Sequence, residues 1–125
     1  MNATLVRAED ARISVTPNAT MTTLSSPTLS GSAHSLWRTT MEPGQRGPLH
    51  TFDVEQIWTV LSGTPRIVVD GLEFALSTGD TLRISPGAVR QVFADDEAAA
   101  FVVCGEAAAH ARPVDGEPVV PGWIV

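Results

Sequence analysis

Few side chains in this chain of 125 residues can do chemistry near neutral pH. There are three histidines, His34, His50 and His110, and one cysteine, Cys104. An imidazole titrates near neutrality, so His50 can act as a general acid or base without a metal. A protein-held metal needs clustered donors, and no His-x-His or His-x-x-x-His pair occurs. Asp53 and Glu55 lie between His50 and Gln56. With His34, Glu42 and His110 they offer a rearranged ligand set only if that turn folds inward. Asp53 and Glu55 are instead expected to be solvated turn carboxylates, His34 a strand histidine and His110 a surface residue near Pro113. Cys104 ends the apolar run Ala98 to Cys104 and reads as a small buried hydrophobe rather than a reactive thiol.

The rest of the chain must position these groups. Its length suits one domain, here taken as 1–125. It is 43% hydrophobic and 18% charged, which excludes a disordered chain. No apolar run reaches the roughly 18 residues of a membrane helix. The net charge is −6, and all eight basic residues are arginines scattered from Arg7 to Arg112. Neither nucleic acid nor an anionic membrane is an expected partner, since both require clustered basic residues. A lone cysteine and the lack of a basic-then-apolar start point to a cytoplasmic protein. The arginine-rich, lysine-free composition suggests a GC-rich bacterial genome.

Short β-type runs recur between turn residues. Ile13 to Thr16 stops at Pro17-Asn18, and Thr20 to Ser25 stops at Ser26-Pro27. Ser32 to Met41 stops at Pro43-Gly44, and Gln56 to Leu61 stops at Ser62-Gly63. Arg66 to Val69 and Leu72 to Leu76 flank Asp70-Gly71, a strong hairpin signal because a type I′ turn needs positive φ at both central residues. Thr81 to Ile84, Arg90 to Phe93 and Ala99 to Cys104 complete the series. Turns every 8–12 residues predict an all-β sandwich or barrel. Alternation puts Gln56, Trp58 and Val60 on one face and Ile57, Thr59 and Leu61 on the other. Only a turn or two of helix is expected, at Val6 to Arg12 and at Glu106 to Arg112 before Pro113. Trp123 and Ile124 in the tail are expected to cover the outer face of a barrel or to join a contact between two copies.

Two segments carry a resemblance. Gly44, His50, Phe52, Gln56 and Gly63 reproduce the spacing of the first cupin motif, a Gly, His-x-His, Glu and Gly in that order. Gly79-Asp80 through Ser85-Pro86-Gly87 to Arg90-Gln91 resembles the second motif, Gly-Asp to Pro-x-Gly-x-x-His. The chain therefore resembles a small single-domain cupin. The resemblance implies one double-stranded β-helix, a jelly-roll barrel, with a motif core at about 32–104. The N-terminal strands 5–25 and the segment 105–125 would pack on that barrel. Such domains commonly pair, so a homodimer is expected.

Cupins that bind metal use two His and a Glu from the first motif and a His from the second. Carried over by position, those residues are His50, Phe52, Gln56 and Arg90. Phe52 cannot ligate, Gln56 is a neutral oxygen donor, and Arg90 is a fixed cation. Two positive charges about 4 Å apart in a partly shielded pocket repel by about 4 kcal/mol. No cofactor is therefore expected. If a divalent metal (Zn, Fe, Mn or Ni) binds, His50 with Gln56 or Glu55 would hold it.

If the strands align as in a cupin, His50, Gln56 and Arg90 converge as catalytic residues inside the barrel. Phe52, Trp58, Gln91 and Glu55 would help bind the ligand. Trp58 and Trp37 are otherwise expected to be core. A buried guanidinium needs a partner, either a carboxylate such as Glu55 or Glu42 or an anionic ligand. His50 would act as acid or base and Gln56 would donate to an oxyanion. The expected function is binding of a small, acidic organic molecule with metal-independent isomerase or cyclase chemistry. A non-catalytic binding module is the alternative, and an oxygenase-type cupin with a rearranged metal site the third reading.

Overall fold

The computed structural model describes residues 2–125. Eleven strands form two antiparallel sheets. They are β1 (Arg12–Val15), β2 (Thr20–Ser25), β3 (His34–Met41), β4 (His50–Phe52), β5 (Gln56–Ser62) and β6 (Arg66–Val69). The remainder are β7 (Leu72–Ala75), β8 (Thr81–Ile84), β9 (Arg90–Phe93), β10 (Ala99–Glu106) and β11 (Ala111–Pro113). One sheet has the order β1-β2-β3-β10-β5-β8 and the other β11-β4-β9-β6-β7. Together they make a jelly-roll barrel, the fold that the motifs implied.

Strand periodicity builds the core between the sheets. Ala99, Phe101 and Val103 of β10 point inward and are almost wholly buried, as are Trp37 and Met41 of β3 and Trp58 and Val60 of β5. Ile67 of β6 and Val92 of β9 close from the opposite sheet. Phe101 meets Trp58 edge to face, with ring centroids 5.1 Å apart. Each such side chain contributes about 1.5–3 kcal/mol of burial. The Asp70-Gly71 turn has positive φ at both residues and joins β6 to β7 with Val69 opposite Leu72. Asp80 accepts the Ser77 amide at 2.8 Å, closing the turn before β8.

Three local expectations change. Val6 to Arg12 keeps only a 3-10 turn at Ala8–Asp10. A four-residue helix, α1 (Pro27–Ser30), follows β2, with Ser26 capping its N-terminus and proline at its first position. Glu106 to Arg112 is not helical. The chain bends at residues 107–108 and then runs into β11, because Asp53 accepts the His110 amide and Ala111 pairs with Phe52, which draws β11 onto β4. Both of these strands are three residues long, too short for an alternation signal.

The tail departs furthest from expectation. It does not lie on the outer face. It runs through a 3-10 turn, Gly122–Ile124, packed against β1, β2 and β3, with Ile124 1% exposed.

Gly63 closes the end of β5 at φ +83°, and a Cβ there would clash with the Ala98 carbonyl oxygen and stand 3.0 Å from Ala99 Cα. Gly79 has a similar φ of +91° but open space around it. Gly79→Ala should therefore lose only the left-handed penalty of about 1–2 kcal/mol, and Gly63→Ala clearly more. Urea unfolding of both variants checks the order. Equal losses would show that the Ala98 backbone yields freely.

Candidate active site

A cavity of about 280 Å³ opens between the sheets. Trp37, Met41 and Trp58 form one side, and Phe52 and Val92 the other. Met21 from β2 and Pro121 and Trp123 from the tail complete it. The few polar side chains on the wall are Thr16, Asn18, Thr39 and His50. Thr39 Oγ1 already accepts the Trp37 indole N–H at 3.1 Å, and Thr16 Oγ1 donates to the Ala19 carbonyl at 3.0 Å. His50 is the one ionisable side chain on the wall. Trp37 and Trp58 are core residues that also bound this space.

His50 is half-buried at the start of β4. Its Nδ1 lies 2.7 Å from the Pro48 carbonyl, which can only accept, so Nδ1 carries the proton. Nε2 keeps its lone pair and has no protein partner. Phe52 stands edge-on to the ring, with centroids 5.4 Å apart. Burial lowers the pKa of the imidazole, the Pro48 bond opposes this, and the charge of Arg90 reinforces it. His50 is thus a neutral base at pH 7 in a water-poor wall.

Gln56 and Arg90 do come together, but behind the wall. Arg90 is fully buried, and Gln56 is 1% exposed. The guanidinium donates to the Ala88 carbonyl at 3.1 Å, to Gln56 Oε1 at 3.2 Å and to the Ser85 carbonyl at 3.4 Å. Gln56 Oε1 also accepts the Trp58 indole N–H at 3.2 Å. The Arg90 Cζ lies 5.4 Å from the centre of the Phe52 ring. Neither Arg90 nor Gln56 lines the cavity. Burial pulls the Arg90 pKa down to about 10, while Asp70 opposes this.

The expected partners of Arg90 are elsewhere. Glu55 precedes the inward-facing Gln56, so it points outward and pairs with Arg83. Glu42 is exposed. Arg90 is satisfied by neutral oxygens instead of a carboxylate. Gln91, one residue on, faces away from Arg90 and donates to the Gly47 carbonyl at 3.0 Å. Neither Glu55 nor Gln91 lines this cavity.

The donor set does not fit the metal site of metal-binding cupins. Gln56 Oε1, the one oxygen at those four positions, is held by the Arg90 cation itself. The rearranged set fails too. Asp53 Oδ2 lies 3.2 Å from His110 Nδ1 at the surface, Glu55 is taken by Arg83, and His34 is exposed. Among the described residues, no three His, Cys, Asp or Glu side chains are grouped to share an ion.

The lowered pKa of His50 has a consequence for stability. Between its folded value and the ordinary 6.5 the unfolded chain binds more protons, so stability is full above pH 6.5 and falls as pH drops through the folded value. Asp53, also lowered, acts only below about pH 4. The urea midpoint should fall less between pH 7.5 and 5 in His50→Phe than in the wild type. Equal falls in the two proteins would contradict the assignment.

Residues 37–106, more than half of the chain, match the Cupin_2 family model, described as a cupin domain. A search of curated proteins gave no match. The polyketide cyclase RemF from Streptomyces resistomycificus superimposes with a TM-score of 0.79 at 17% identity, over 91% of this chain and 87% of its own. Rru_A2000 from Rhodospirillum rubrum, a cupin-2 domain, gives 0.73 at 18% identity, over 95% and 80%. Salicylate 1,2-dioxygenase from Pseudoaminobacter salicylatoxidans gives 0.72 at 13% identity, over 83% of this chain and 31% of its own. These identities establish shared fold and not shared chemistry. With its motif spacing, two-sheet barrel and family match in agreement, the chain belongs to the cupin family.

Proposed function

We propose that the barrel binds a compact, neutral, ring-containing organic molecule and that His50 acts on it as a metal-independent base. The observation that carries this reading is the wall itself. It is apolar and aromatic, and its single ionisable group is a neutral imidazole with a free Nε2. Pockets of this kind bury most of a ligand, and a few polar groups fix its orientation. A carboxylate here would lie unpaired, because Arg90 is committed behind Phe52 and Gln56. The ligand is thus neutral, in place of the acidic molecule that Arg90 suggested.

Nε2 can take a proton from carbon beside a ketone or accept one from an enol. Such a step begins both isomerisation and aldol-type ring closure. The fold likeness to a polyketide cyclase accords with that class of substrate. A second reading has its own support. With Gln56 and Arg90 off the wall, no cationic donor lines the cavity for a developing oxyanion, only uncharged groups such as the Asn18 amide and the Thr39 hydroxyl, which favours a binding module without turnover.

A suitable test compound is 2-tetralone, a neutral two-ring ketone with exchangeable α-protons. Quenching of tryptophan fluorescence should show it binding at least tenfold tighter than 2-naphthoate, an anion of similar shape. Tighter binding of the naphthoate would contradict the neutral-ligand reading. In D₂O the wild type should accelerate α-proton exchange, and His50→Gln should lose about 10²-fold or more of that rate while keeping its affinity. Binding without exchange would leave the binding-module reading standing.

A further inference from the structure

The cavity wall divides at the limits of the family core. His50, Phe52 and Trp58 belong to residues 37–106, but half of the lining residues lie outside that span. Asn18, Ala19 and Met21 come from before it, and Val119, Pro121 and Trp123 from after it. The contribution of the tail is wholly apolar. It adds shape and no reacting group.

The tail is also clamped at both ends. Val119 exchanges two backbone hydrogen bonds with Ala111, at 2.7 and 2.8 Å. Beyond it, Arg12 Nη2 donates to the carbonyls of Gly122 at 3.0 Å and Val125 at 2.8 Å. Thr23 Oγ1 donates to the Trp123 carbonyl at 2.6 Å, and the buried Ser35 hydroxyl donates to that of Ile124. Every one of these anchors takes a backbone group of the tail. The strap is thus held by its main chain, and the side chain at position 123 projects into the wall without carrying an anchor.

We infer that this C-terminal strap is the specificity wall of the cavity and that the Trp123 indole sets how many fused rings the ligand has. The inference rests on the neutral-ring reading above. The indole bounds one side of the cavity of about 280 Å³, so a fused-ring ligand must fit beside it, and removing that indole makes room for a further ring. Pro121 stiffens the approach to the 3-10 turn, so the indole is presented in one place rather than sampled.

The test compares 2-tetralone with the three-ring ketone 3,4-dihydrophenanthren-1(2H)-one by titration calorimetry. The wild type should prefer the two-ring ketone, and Trp123→Ala should shift the ratio of dissociation constants at least tenfold towards the three-ring ketone. Trp123→Leu serves if the alanine variant does not fold. Thr23→Val, which removes the one anchor on the Trp123 carbonyl without changing the wall, should shift the ratio the same way but less. A wild-type ratio in folded Trp123 variants overturns the inference while leaving the neutral-ring reading intact. Failure of 2-tetralone to bind the wild type overturns both.

Discussion

One oxygen organises the interior. Gln56 Oε1 accepts from the Arg90 guanidinium and from the Trp58 indole, both at 3.2 Å. A guanidinium cannot be left bare between two sheets, since burying an unpaired charge costs several kcal/mol. Here the charge is spread over three neutral oxygens and the face of Phe52. The same contacts fix the two aromatic residues that separate this polar layer from the cavity. Arg90 thereby acts as scaffold. Its hydrogen bonds hold up a hydrophobic floor, and its charge adds to the burial that lowers the pKa of the neighbouring His50.

This arrangement changes what a cupin barrel can offer. Where metal-binding relatives carry ligands, this chain carries a cation, an aromatic ring and an amide already in use. The chemistry left at the wall is one imidazole with a defined tautomer. An imidazole of that tautomer is what the proposed proton transfer on an uncharged carbonyl compound requires. The tail then confines the same space from the opposite side, so chemistry and shape are supplied by different parts of the chain.

Much of the architecture was legible beforehand because it depends on local rules. Thr20–Ser25, Arg66–Val69, Thr81–Ile84 and Arg90–Phe93 are strands over those very residues. Their alternation and the intervening Gly, Pro and Asp-Gly turns are properties of neighbouring residues. β4 and β11 were missed because three residues carry no period, and they are defined by pairing with distant parts of the chain, with each other and, for β4, with β9. The convergence of His50, Gln56 and Arg90 on one region was also visible, through motif spacing. Glu55 and Gln91 were misplaced although each lies one residue from an inward-facing neighbour, where alternation alone points it away.

The sequence by itself determined most of the strands, the turns between them, the family and the loss of the usual ligand residues, because each follows from residue type at a fixed spacing. It also named His50. Only the tertiary structure decided which inward residues meet empty space and which meet other side chains. Gln56 and Trp58 share a face of β5, yet one is sealed behind the wall and the other forms it. Alternation assigns a face but not a depth, and depth depends on what the opposite sheet places there. For Trp123 the deciding contacts come from about a hundred residues away in the chain, that of Thr23 with the Trp123 carbonyl and those of Arg12 with Gly122 and Val125 on either side. No local pattern can encode a contact across that separation, so the closing wall of the cavity appears only in the folded molecule.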